Sequence, residues 1–129
     1  MADVTMTDNS DEFRKGMNEA IERALVSIGL AAEGHAKLSC PVDTGRLRGS
    51  IVYATKTSHS EGEPWEDGTP SPPEDHELHG TPDEKEVIIG TNVEYAAKVE
   101  FDVKPFLRPA AENHKEEYKR LFEQELRGQ

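Results

Sequence analysis

Hydrophobic and polar positions repeat with helical spacing at both ends of the chain. Between Ser10 and Ser39, apolar side chains recur every three to four residues, as at Phe13, Met17 and Ile21. This spacing places them on one face of a long amphipathic helix. Pro41 pushes the preceding residue out of helical geometry and is predicted to end that helix.

A second helical pattern occupies the C-terminal part of the chain. Apolar or aromatic positions recur there at Leu107, Ala110, His114, Tyr118, Leu121 and Leu126. Pro109 suits the first turn of a helix, where its missing N–H is not needed. We therefore predict one C-terminal helix over this stretch.

Two shorter segments have the composition of strands. Residues Ser50–Thr57 alternate β-branched and aromatic side chains, and Glu86–Thr91 form a short apolar run. The segment Asn92–Phe101 predicts a short helix. The predicted fold is therefore α+β, with a long N-terminal helix and a C-terminal helix packed on a small antiparallel β-sheet. A sheet of two strands alone is only marginally stable, so the strands must pack on the helices, recruit a third strand or pair with another copy of the chain.

A long acidic segment separates the two predicted strands. Between His59 and Glu86 there are ten acidic residues against one lysine, and five of the eight prolines lie in the same window. Such a composition disfavours helices and sheet ladders. We predict a long acidic loop rich in proline and glycine at residues 58–85, a flexible N-terminus at residues 1–9, and a single domain spanning residues 1–129.

Charge and composition exclude several classes of function. The net charge of −11 repels the phosphate backbone, so specific nucleic-acid binding is not expected as the main activity. Cys40 is the one cysteine, which excludes an internal disulfide. Because no apolar run is long enough for a membrane span or a signal peptide, we expect a soluble protein made in the cytoplasm.

The stretch CPVDTGRLRGSI, Cys40–Ile51, contains the Asp-Thr-Gly tripeptide of aspartic proteases. In a retroviral-type dimeric protease, Asp43 would be the catalytic residue, and the downstream VIIGTN resembles a second element of those enzymes. However, that chemistry needs two carboxyls sharing a proton, and nearby arginines favour the charged form. The favoured interpretation is a structural turn made by Pro41, Asp43, Thr44 and Gly45, in which glycine supplies a positive φ.

Other candidate chemistry is weak. His76 and His79 lie three residues apart among carboxylates, but without further ligands at suitable spacing they predict a solvated loop. His35 and His114 lie on or beside apolar helix faces, which is typical of core or interface histidines. No phosphate-binding loop or nucleophile–histidine arrangement is visible, so we expect neither an enzyme nor a metal or cofactor. Trp65, in the acidic loop, indicates either local packing or an anchor for a partner protein.

Three segments in a fixed order carry a resemblance to a known family. They are CPVDTGRLRGSI, VIIGTNVEYAAKVEF and KPFLRPAAENHKEEYKRLF, which together span Cys40 to Phe122. In this order the chain resembles the neck and tail-completion proteins of long-tailed phages, the family related to minor tail protein Z of phage lambda. The chain departs from that pattern where Asp102 follows Phe101, because relatives commonly have a glycine and a longer connection there.

The resemblance implies a non-enzymatic subunit of a siphovirus particle, assembled in the host cytoplasm. Such a subunit forms a homo-oligomeric ring at the head–tail junction, joins the completed tail to the DNA-filled head, and keeps the DNA channel continuous. Its partners would be other copies of itself, head-closure connectors and tail-terminator proteins, with DNA passing through unbound. Candidate contacts with subunits or partners are Arg46, Arg48, Trp65 and Arg108, although ion pairs within one subunit explain the arginines equally well.

Overall fold

The computed structural model describes residues 10–78 and 80–127, and the first element is the predicted long helix. This helix, α1, spans Ser10–Ser39, which confirms the prediction. Its most buried positions are small residues at helical spacing: Ala20, Ala24, Ala32 and Ala36. None of the described helices has the length and apolar character needed to cross a membrane. The N-terminus predicted to be flexible, residues 1–9, lies outside the described residues.

The sheet has two short antiparallel strands, β1 at Val52–Ala54 and β2 at Ile88–Gly90, with Tyr53 opposite Ile89. Both strands are shorter than predicted. The strand predicted at Ser50–Thr57 begins later than predicted because residues Arg46–Ser50 form a short helix, α2. It ends earlier than predicted because the chain reverses after Ala54, where the N–H of Thr55 donates to the carbonyl of Ser58 at 2.7 Å.

Helix α1 packs across this sheet at a glycine. Gly29 is buried, and a Cβ atom there would lie 2.7 Å from Cγ of the Tyr53 ring. Because real Cβ atoms do not approach this closely, only glycine lets the helix backbone rest on the tyrosine. The contact fixes β1 against the middle of α1.

The C-terminal half contains more elements than the sequence predicts. Helix α3 (Ala96–Lys98) runs into a π-helical turn (Val99–Val103), which is followed by α4 (Leu107–Glu112) and α5 (Lys115–Arg127). The predicted C-terminal helix is therefore present, but it is divided into α4 and α5. Asn113, with ψ at 0°, turns the chain between α4 and α5; α4 contacts β2, whereas α5 packs mainly along α1.

The hydrophobic core lies where the end of α1, α2, the sheet and the C-terminal helices meet. Phe106 and Ile51 are completely buried at its centre. The buried cluster consists of Ala36, Cys40, Leu47, Ile51, Val93, Ala96, Phe106 and Ala110. The partly buried side chains of Ile89, Val99 and Leu107 pack against this cluster.

The connection between β1 and β2 covers residues 55–87 and is folded against its own chain. It contains a short 3₁₀-helix, Pro73–His76, although its composition predicted no helix. Two of its backbone N–H groups reach the turn and α2: Glu63 donates to the carbonyl of Gly49, and Glu66 donates to the carbonyl of Thr44. Backbone hydrogen bonds thus hold parts of the acidic segment against the turn and α2, although its composition predicted a solvated loop.

Candidate functional site

The Asp-Thr-Gly tripeptide lies in the turn between α1 and α2. Thr44 Oγ1 accepts the N–H of Arg46 at 3.2 Å, and Gly45 has a φ of 85°. A Cβ atom at Gly45 would also lie 2.9 Å from the backbone nitrogen of Glu66. A left-handed backbone and a close neighbour therefore both require glycine at this position. Asp43 is exposed on the outside of the turn.

Arg46, the first residue of α2, is the centre of the site. Its guanidinium donates to Asp75 through Nε–Oδ2 at 2.9 Å and Nη2–Oδ1 at 3.1 Å. It also donates to Glu94 through Nη1–Oε1 at 3.1 Å and Nη2–Oε2 at 3.0 Å. Its Cζ lies 5.5 Å from the centre of the Tyr95 ring, within the range of a cation–π contact. This one side chain joins α2, the acidic segment and the chain after β2.

These contacts perturb the ionisation of the groups that make them. Hydrogen bonds with Asp75, and then with Glu94, raise the pKa of Arg46 above its usual value. The pKa of Glu94 is lowered by its own backbone N–H and then by the Arg46 guanidinium. Bidentate pairs of this kind are the strongest that arginine forms with carboxylates. Arg46 is therefore committed to contacts within its own chain.

Asp75 is the buried partner in this network, since only 3% of it is exposed. It lies in the 3₁₀-helix, and its backbone carbonyl accepts the N–H of Asn92 at 2.8 Å. The side-chain amide of Asn92 in turn donates to the carbonyl of Glu74 at 2.9 Å. The middle of the acidic segment is thus fixed to the residues that follow β2.

A shallow groove opens beside the turn. Its walls include Pro41, Val42, Trp65, Tyr95 and Val99. Val42 is 44% exposed there, and the indole Nε1 of Trp65 is buried without a hydrogen bond to any described residue. The apolar part of this wall is suited to contact with a protein segment.

The other two candidate arginines are less constrained than Arg46. Nη2 of Arg48 lies 3.6 Å from Glu66, with 37% of the arginine side chain exposed. Arg108 is 67% exposed, and its Nε lies 4.0 Å from Glu112, one turn further along α4. Exposed pairs at these distances contribute little to stability, so both guanidiniums can exchange their present partners for others.

A second buried carboxylate organises the start of α4. Glu100 Oε1 accepts the N–H groups of Phe106 and Leu107 at 2.9 and 2.8 Å, and Oε2 accepts that of Arg108 at 3.2 Å. Desolvation opposes ionisation of Glu100, but the three N–H donors outweigh it and lower its pKa. The carboxylate therefore satisfies the N–H groups that a helix start leaves free.

No family model, characterised protein or solved structure matches the chain. What the site offers is a set of ion pairs, an apolar groove and exposed arginines, which are features of protein contacts. Of the two closely spaced histidines considered as metal ligands, His76 ends the 3₁₀-helix, and His79 lies outside the described residues.

Sequence reasoning missed several residues of the site. Asp75 is one of ten carboxylates in the acidic segment, and nothing in its local sequence marks it as buried. The sequence pattern placed Glu94 and Glu100 on a short helix and gave them no role. Glu100 lies seven residues before the start of α4, close enough for its carboxylate to reach the free N–H groups of that helix. The stacked arrangement of His35 and His114 also could not be seen, because they are distant in sequence.

Proposed function

We propose that the protein is a structural, non-enzymatic subunit of the neck or tail of a tailed virus. In this proposal, copies of the chain form a ring at the head–tail junction of the virion, which completes the tail and joins it to the DNA-filled head. Neighbouring head-closure and tail-terminator proteins are its other partners. DNA passes through the channel without specific binding.

The arrangement of the three family-like segments supports this proposal. Leu47, Val93 and Phe106, one from each segment, lie in the same buried cluster. Arg46 joins the first segment to the second through Glu94, and Glu100 joins the second to the third through backbone N–H groups. The segments that carry the resemblance thus cooperate in one local structure, as residues maintained for one architecture would.

Exposed apolar side chains are the observation that carries the assembly part of the proposal. Phe101 is 73% exposed and Val103 66% exposed, both in the π-helical turn. Leu38, at the end of α1, is 86% exposed, and Val42 in the groove is 44% exposed. Large exposed apolar side chains on a small, highly charged protein are typical of interaction surfaces. Val42 belongs to the first phage-like segment and Phe101 to the second, whereas Leu38 and Val103 lie just outside these segments.

The charge of the chain is compatible with a DNA channel. With a net charge of −11, the subunit has no overall electrostatic attraction for phosphate, so a ring of such subunits would not retain DNA by counterion release. A lumen of this kind allows DNA to move in either direction during packaging and ejection.

The first experiment is electron microscopy of particles made by the parent virus with this gene interrupted. We expect filled heads and separate or malformed tails, and complementation with the intact gene should restore joined particles. Complete, infectious particles in the absence of the gene product would refute the proposal.

Variants of the exposed apolar residues test the assembly surface more narrowly. Phe101→Ser with Val103→Ser should leave the fold intact, because both side chains are exposed, but should fail to complement the interrupted gene. Phe13→Ser is the matched control, because Phe13 is 68% exposed near the other end of α1. If the double variant complements fully, the π-helical turn is not part of the assembly surface.

The dimeric aspartic protease remains the alternative that Asp43 raises. A shared proton requires surroundings that tolerate a neutral carboxyl, whereas Asp43 is exposed on a turn between two helices. Asp43→Asn separates the two functions. The structural proposal expects normal complementation, and a protease would lose peptide cleavage with an unchanged fold.

A further inference from the structure

Three potential metal ligands converge where α1 meets the start of α5. His35 Nε2 lies 2.6 Å from Glu117 Oε2, and His114 Nδ1 lies 3.7 Å from the same oxygen. The ligand atoms of all three side chains lie within 4.8 Å of one another. No other three His, Cys, Asp or Glu side chains in residues 10–78 and 80–127 are grouped this closely.

The two imidazoles lie face to face. Their rings stack with centroids 3.5 Å apart and planes 5° from parallel. Nε2 of His35 also makes a hydrogen bond with the Glu117 carboxylate at 2.6 Å, which a bound metal would replace. A metal ligand must be a neutral imidazole, and a carboxylate is a common companion in zinc sites.

The surroundings hold the cluster in place without closing it. The side chains of His35, His114 and Glu117 are 27%, 35% and 36% exposed, so an ion from solvent can reach them. Tyr118 packs at an angle against both rings, and its hydroxyl donates to the carbonyl of Ala110. His35 comes from α1, Glu117 from α5 and His114 from the turn before α5, so three packed segments bring the side chains together.

Binding a tetrahedral ion would require small movements of the ligand atoms. Zinc with bonds of about 2.0–2.1 Å places neighbouring ligand atoms roughly 3.3 Å apart. The observed distances from Glu117 Oε2 to the two imidazole nitrogens, 2.6 and 3.7 Å, lie on either side of this value. Because a metal lies in the plane of each ligating ring, rotation of the stacked rings about Cβ–Cγ would accompany binding.

We propose that His35, His114 and Glu117 form a binding site for Zn²⁺ or a chemically similar divalent transition metal. The protein supplies three ligands, and a fourth coordination position faces solvent. The bound ion joins the C-terminal part of α1 to the first turn of α5. This site is separate from the Arg46 network and does not depend on the proposed viral role.

Calorimetric titration of tag-free protein with zinc chloride tests the site. We expect one ion per chain with a dissociation constant in the micromolar range or below. His35→Gln, His114→Gln and Glu117→Gln should each weaken binding by at least about tenfold, since loss of an indirect supporting group already costs about that much. The matched control is His59→Gln, because His59 is 68% exposed and lies outside the cluster.

The unaltered protein provides a second measurement, so the result does not depend on how the variants fold. Nitrogen-15 spectra of the histidine side chains should show zinc-dependent shifts at His35 and His114, with His59 unchanged. Substitution of Co²⁺ should give the visible absorption of a tetrahedral ion. The proposal is overturned if zinc binding shifts other histidines instead. It is also overturned if no binding is seen at about 100 μM zinc, which is on the order of a hundred times a micromolar dissociation constant.

Discussion

Replacing Arg46 by methionine tests whether the buried ion pair holds the acidic segment in place. The change removes the guanidinium but keeps a long apolar side chain at the start of α2. Asp75, whose side chain is 4% exposed, would then be left as a buried carboxylate without a cation. Breaking a fully buried pair costs about 3–5 kcal/mol, and an exposed pair about 0–1 kcal/mol. Because 27% of the Arg46 side chain is exposed, this pair lies between the two cases, and we expect the free energy of unfolding to fall by about 2–3 kcal/mol.

The two partners of Arg46 provide matched comparisons. Asp75→Asn should cost less than Arg46→Met, about 1 kcal/mol, because the arginine keeps Glu94 and access to water. Glu94→Gln should have little effect, since 71% of that side chain is exposed. The double variant Arg46→Met with Asp75→Asn should be more stable than the sum of the single changes predicts, by at least about 1 kcal/mol.

Urea unfolding followed by two probes measures these differences. Trp65 fluorescence reports the acidic segment, and far-ultraviolet circular dichroism reports mainly the long helices. Coincident transitions would validate a two-state free energy. The reasoning is refuted if Glu94→Gln destabilises the protein as much as Arg46→Met, or if the effects of Arg46→Met and Asp75→Asn are additive.

Three further predictions concern other buried features. Glu100→Gln should lower the free energy of unfolding by about 1–3 kcal/mol at pH 7. Because folding lowers the pKa of Glu100 from 4.5, the carboxylate stabilises the protein fully above that pH and loses this effect as the pH falls. Acid titration should therefore reduce the stability of the variant less than that of the unaltered protein. Gly45→Ala should destabilise by about 1 kcal/mol or more because of its positive φ, whereas Gly34→Ala, in an open position on α1, should stabilise by about 0.5–1 kcal/mol in the same unfolding assay. Burial raises the pKa of Cys40 to about 11 against the opposing charges of Arg48 and Lys104, so a thiol reagent at pH 8 should modify it in urea but only slowly in the native protein.

The parts of the fold that local sequence determines were predictable. The length of α1 follows from its periodicity and from Pro41, and both strand centres follow from β-branched and aromatic residues. The break between α4 and α5 was missed because Asn113 is only a weak interruption in an otherwise continuous helical pattern. The short helix α2 was missed because its residues, RLRGS, have no amphipathic repeat long enough to detect.

The site was predictable only in part, because its interactions join residues distant in sequence. The turn at Asp43 to Gly45 is a local feature, and its residue types indicate it directly. By contrast, the choice of Asp75 among ten carboxylates depends on which one the folded segment brings to Arg46, 29 positions away. Long-range pairs of this kind leave no periodic or compositional signal in a single sequence.

The acidic segment is not held mainly by its many charges. Lys37 pairs with Glu63 at 2.6 Å and Lys56 with Glu84 at 3.1 Å, but in both pairs the glutamate is at least 60% exposed. Such pairs contribute little and are screened by salt. Asp75 with Arg46 is the exception, because its carboxylate is withdrawn from water.

Backbone hydrogen bonds to α2 and to Asn92 are likewise insensitive to ionic strength. Moderate salt should therefore leave the segment docked, while Arg46→Met should release it under all salt conditions. Hydrogen exchange of the Glu63 and Glu66 amides, measured at low and high salt, checks this distinction. Faster exchange of these amides at high salt in the unaltered protein would mean that the exposed pairs hold the segment after all.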